Sequence, residues 1–132
     1  MGFYKNWTTQ AERDSKKGYI AVSRRLVKRM ITAKWLDKPP KGESWDHSIS
    51  LEHFWLVHGP VWLANCPLNL KLMLFRDNHR KGNRSSKPIL ELIDEFNGWE
   101  RRLEWLEWLR VVETEMGVSF SELSKPIDVL IK

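Results

Sequence analysis

The run Lys38-Pro39-Pro40-Lys41-Gly42 constrains the fold more than any other feature of the chain. Neither proline can donate a backbone hydrogen bond, and each pushes the residue before it out of the helical region. Whatever precedes this run must end there, and a new element must begin after it. On the N-terminal side, Val22, Leu26, Met30 and Ala33 recur at three to four residues, with Ile20, Val27, Ile31 and Trp35 beside them. That periodicity predicts a helix from Tyr19 to Leu36, with a short strand over Tyr19 to Val22 as the alternative. Thr9-Gln10-Ala11-Glu12 has capping-box spacing and predicts a preceding short helix that Gly18 interrupts.

On the C-terminal side the pattern changes. Residues 45–75 mix aromatic and β-branched side chains and are broken by Gly59-Pro60 and Pro67. Two short strands near 45–50 and 69–74, joined by a long aromatic connection, are expected. Arg76 to Lys87 is polar and basic. Helix returns over Pro88 to Asn97, with a break at Gly98. The stripe Trp105, Leu109, Val112, Met116 then marks a helix from Trp99 to Met116 that Gly117 stops. The fold class expected is α+β: a small ββα core flanked by helices, mostly helical overall. The 132 residues suit one domain, divided into a basic helical arm (1–41), the ββα core (42–87) and a helical C-terminal part (88–132).

Cys66 is the only cysteine, which excludes an internal disulfide and a CxxC zinc site. Without an apolar run of membrane-span length or a signal-peptide layout, a soluble, cytoplasmic protein with no membrane partner is expected. Charge is unevenly distributed. Residues 1–41 carry eleven Lys/Arg against three acids, a net +8, whereas residues 87–132 carry six against ten, a net −4. A basic arm opposite an acidic third fits one face turned to a polyanion; a solvated charged face on each helix explains the same numbers.

Three short pieces carry chemistry: Asp46-His47 after the Pro-Pro-Lys-Gly turn, Asn69-Leu70 at the second strand, and Asn78-His79-Arg80-Lys81-Gly82-Asn83-Arg84. Phosphodiester hydrolysis needs a base near neutral pH, a hard cation on the leaving oxygen and fixed positive charge for the backbone. Imidazole, carboxylate or amide oxygens, and Lys/Arg supply these in turn.

The segment resembles the HNH (His-Me finger, ββα-metal) endonuclease family. There, an Asp-His pair closes the first strand, an Asn-Leu opens the second, and an Asn or His on the next helix completes a metal site. The likeness covers roughly residues 39–84. It implies Asp46 and Asn78 as ligands of Mg²⁺ or Mn²⁺, with His79 as substitute ligand if the register slips by one. His47 would be the general base, and Asn69 would tie the strands and help orient it. Arg80, Lys81 and Arg84 would grip phosphate, joined by Arg24, Arg25, Lys28 and Arg29 of the basic arm. Ser48-Ile49-Ser50 departs from the family's residues after the Asp-His pair, and the connection to Asn69 is longer and more aromatic.

The enzymatic expectation is a metal-dependent DNA endonuclease, a hydrolase associated with phage or mobile elements. The alternative is a small basic regulator that binds nucleic acid or inhibits an enzyme. His53 and His58 are expected to be structural rather than ligands. Trp99, Trp105 and Trp108 suit core packing or a protein partner on the C-terminal helix. Cys66 is expected as a small buried side chain.

Overall fold

The computed structural model describes residues 10–120. The chain is mostly helical around one antiparallel pair of strands, an α+β fold. Helix α1 (Gln10–Thr32) runs without interruption. Gly18 therefore does not break it: a single mid-helix glycine costs about 1 kcal/mol, which the apolar stripe containing Leu26 and Met30, both fully buried, outweighs. The same stripe excludes the strand alternative. Thr9 of the expected capping box lies outside the described residues. The helix stops at Thr32, four residues earlier than Leu36, because Lys34 takes a positive φ of 70° and Trp35 and Leu36 donate back to the Met30 carbonyl.

After the proline turn, β1 (Glu43–His47) pairs with β2 (Leu70–Leu74), so that Glu43 faces Leu74 and His47 faces Leu70. Both strands are shorter than expected at one end. Ser48 still donates to the in-register Asn69 carbonyl, but the chain then turns away and Ser50 caps α2 (Leu51–Leu56), accepting from the His53 amide at 3.1 Å. The aromatic connection is not a coil: it holds α2, the one-turn α3 (Val61–Ala64) and a 3₁₀ turn over Pro67–Asn69. Gly59-Pro60 separates the two helices, and a Cβ at Gly59 would lie 2.6 Å from the Phe54 ring. Helix α4 (Phe75–Lys81) begins directly after β2, three residues before Asn78, where a start was expected.

Helices α5 (Ile89–Asn97) and α6 (Arg102–Met116) follow the expected periodicity, and Gly117 ends α6 in the left-handed conformation. Trp105, Leu109 and Val112 meet Leu26 and Met30 of α1 and Phe96 of α5 in one core. Trp105 is fully buried, edge-on to Trp35 at 5.2 Å and stacked on Trp108 at 5.2 Å, so packing accounts for most of this tryptophan group. Among the described residues no helix is long and apolar enough to cross a membrane. Residues 121–132, at the end of the expected helical part, lie outside the described residues.

Candidate functional site

The ββα unit brings Asp46, Asn78 and Lys81 to one strand–helix interface and leaves His47 on the opposite face of β1. Alternation along β1 sends Ser44 and Asp46 to one face and Trp45 and His47 to the other. Helix α4 covers the first face. There, Asn78 Nδ2 donates to Ser44 Oγ at 3.0 Å, and one turn on, Lys81 meets Asp46. Asp46 and Asn78, the expected metal ligands, thus occupy neighbouring rungs of the same interface rather than a shared one. His79 lies about 100° around the helix from Asn78. It is exposed and borders a shallow depression with Ser44, Phe75, Asn78 and Gly82. Among the described residues no three His, Cys, Asp or Glu side chains cluster as a metal site.

Lys81 was expected to grip phosphate and is instead turned inward. Its Nζ donates to the His47 carbonyl at 2.7 Å and lies 3.2 Å from Asp46 Oδ2 and 3.4 Å from Oδ1, with both side chains nearly buried. The 3.2 Å approach is close enough for an ion pair but not aligned as a hydrogen bond, so the buried Oδ2 has no donor of its own.

His47 is held by a residue that sequence reasoning missed. Its Nε2 lies 2.7 Å from Oδ1 of Asn65, which is fully buried. Asn65 Nδ2 donates to the Val61 carbonyl at 2.9 Å, and Ser23 Oγ donates to the same Oδ1 at 2.9 Å. Turning the amide over would set its oxygen against a carbonyl, so the orientation is fixed. An oxygen can only accept; Nε2 therefore carries the ring proton, and in the neutral ring the lone pair is on Nδ1. Burial pushes the His47 pKa below the usual 6.5, with Lys81 adding to that and the Asn65 bond and Asp46 opposing it. The one signal for Asn65 was a lone amide in the apolar run Val61-Trp62-Leu63-Ala64, since a buried amide needs partners.

Asn69 was expected to tie the two strands; its side chain instead joins the segments that flank them. Its Oδ1 accepts from the Ile49 amide at 2.8 Å, and its Nδ2 donates to the Ile49 and Ala64 carbonyls at 3.1 and 2.8 Å. It does not touch the imidazole; orienting the ring falls to Asn65.

A groove of about 710 Å³ joins His47, Asn78 and Asn83 to Arg24 and Lys28 of α1. The other two arginines of the basic arm face elsewhere: Arg25 donates to the Met116 carbonyl at 2.7 Å, and Arg29 pairs with Glu115 at 3.0 Å. Arg84 folds back onto the Lys81 and Arg80 carbonyls at 3.0 and 2.8 Å, capping α4, while Arg80 is exposed. His53 approaches only Ser85 at 3.5 Å, and His58 sits exposed at a positive φ of 57°; neither joins His47. Cys66 is buried, its thiol pKa pushed up to about 12 by desolvation, which leaves it unreactive near neutral pH.

No protein-family model, curated protein sequence or solved structure matches this chain.

Proposed function

We propose that the chain is a metal-dependent endonuclease of the HNH type that hydrolyses phosphodiester bonds in nucleic acid, DNA being the expected substrate. The observation that supports this best is His47: a half-buried imidazole on β1 of a ββα unit, with a fixed tautomer, next to Asp46 in the chain and bordering a groove with the exposed cations Arg24 and Lys28. Such a base takes a proton from water near neutral pH, with Nδ1 as the accepting atom. Asn65 keeps the ring in place while this happens.

Asp46 and Asn78 would hold a magnesium-like ion. What supports this is a buried Asp46 carboxylate oxygen without a hydrogen-bond donor, with Asn78, which carries a hard amide oxygen, one rung away on the facing helix. When bound, such an ion neutralises charge on the leaving oxygen. Lys81 can keep its shorter bond to the His47 carbonyl while releasing the carboxylate. Arg24 and Lys28 would hold the phosphate backbone.

A second reading has its own observation. The Lys81 ammonium already neutralises Asp46, and a site arranged in that way needs no divalent ion. That arrangement favours a non-catalytic binder of nucleic acid.

Incubating the protein with plasmid DNA and Mg²⁺ or Mn²⁺ separates the two. Nicked or linear product that disappears in His47→Ala supports the nuclease. In a Mn²⁺ titration, binding kept in His47→Ala but weakened in Asp46→Ala and Asn78→Ala assigns the ligands. Intact plasmid with every ion, alongside unchanged DNA binding by His47→Ala, leaves the binder.

A further inference from the structure

Resting on the nuclease reading, we infer that the groove at His47 accepts an unpaired nucleic-acid strand in preference to a duplex. Its two walls are tied to each other. Helix α1 forms one wall, and the ββα unit with α2 forms the other. Lys16 Nζ meets Glu52 Oε1 at 2.5 Å, Tyr19 Oη donates to the Gly59 carbonyl at 3.0 Å, and Ser23 Oγ donates to Asn65 Oδ1 at 2.9 Å. From Lys16 to Ser23 the helix advances about 10 Å, so for two turns α1 is anchored to the segments that frame the groove. The Asn83 amide donates to the other Glu52 oxygen at 2.7 Å and ties the end of α4 into the same closure.

The groove offers about 710 Å³ along these walls.

The lining points to an unpaired strand. Trp45 borders the groove next to His47. Its indole Nε1 donates to the Asp37 carbonyl at 2.9 Å, and the ring packs partly against the core, so it is a fixed aromatic surface. Stacking on such a surface requires a base with a free face, which only an unpaired strand presents. Arg24 and Lys28, both exposed and without a carboxylate partner among the described residues, lie along the rim to follow phosphates. Fixed aromatic surface, rim cations and the imidazole together form a sequence-tolerant site for a single strand.

Fluorescence anisotropy with labelled oligonucleotides in EDTA tests this, using one sequence as single-stranded DNA, single-stranded RNA and blunt duplex. The single strand should bind about tenfold or more tightly than the duplex. Trp45→Ala should weaken single-strand binding roughly five- to hundredfold and leave duplex binding little changed. Trp45→Phe, which keeps a stacking ring and most of the packing, should retain most of the affinity; circular dichroism establishes that both variants fold. Comparing the DNA and RNA arms identifies the sugar. Equal or tighter duplex binding, no binding to any probe, or equal losses in Trp45→Ala and Trp45→Phe would overturn the inference. Failure of the nuclease reading looks different: no cleavage of any substrate with Mn²⁺, with the strand preference in EDTA intact.

Discussion

Replacing Asn65 with leucine should be among the most damaging single changes outside the aromatic core. The side chains are similar in size, so the cost comes from hydrogen bonds rather than from a cavity. Removing Oδ1 strands two buried donors, His47 Nε2–H and Ser23 Oγ–H, which approach it at 2.7 and 2.9 Å. The Val61 carbonyl loses Nδ2 but keeps the Asn65 backbone amide at 3.1 Å, so it stays satisfied. An orphaned buried donor costs about 1–3 kcal/mol. Ser23 can turn its hydroxyl to a carbonyl one turn back on α1, which puts its share at the low end. The sum is about 2–4 kcal/mol, a large part of a domain stability of about 5–15 kcal/mol. Urea unfolding in EDTA measures it, and Ser23→Ala provides the control. With the hydroxyl already gone, Asn65→Leu has one donor fewer to strand, so the double variant should be more stable than the two separate losses predict. A loss below about 0.5 kcal/mol, or strict additivity with Ser23→Ala, would falsify the account of Asn65 as the shared acceptor.

Two further outcomes follow from the same neighbourhood. Lys81→Met leaves Asp46 buried without its counter-charge and should destabilise the fold by about 3–5 kcal/mol. Thermal unfolding with added Mn²⁺ should then recover more stability in the variant than in wild type, and no metal-dependent recovery would count against Asp46 as a ligand. For His47, burial lowers the folded pKa, so the unfolded chain binds the proton first as pH falls past 6.5. The contribution is fully present above that pH and is lost on descending toward the folded value. Urea unfolding across this range should show a steeper loss in wild type than in His47→Gln, and parallel curves would exclude the effect.

The long elements were legible because their signals are periodic. The stripe from Trp105 to Met116 and that from Val22 to Met30 repeat often enough to overrule one glycine. The residues from Leu51 to Ala64 were not legible as helices, because each run is about one turn long and rich in Trp, Val and Phe. Such helices form only because Ser50 caps one and because Phe54, Trp62 and Leu63 find the core. Asp46, His47 and Asn78 could be placed on neighbouring elements from motif order. What order could not give was which cations turn inward. Lys81 and Arg84 sit in one basic run, yet α4 aims the first at Asp46 and the second at its own terminal carbonyls. Asn65 stayed invisible because its partners, Ser23, His47 and Val61, come from three separate elements.

Helix α1 presents two adjacent stripes with different duties: Arg24 and Lys28 face the groove, and Arg25 and Arg29 brace α6. One residue inserted between Ser23 and Arg24 would turn these stripes about 100° and advance them 1.5 Å relative to Ser23. The bracing pair would lose Met116 and Glu115, and the groove would lose its rim charge, even though the composition of the helix hardly changes. The α1 segment from Lys16 to Arg29 is therefore fixed in length as well as in sequence, whereas the exposed turn around Lys38 can vary at much lower cost. A duplicated or deleted codon in α1 would do more harm than most substitutions there.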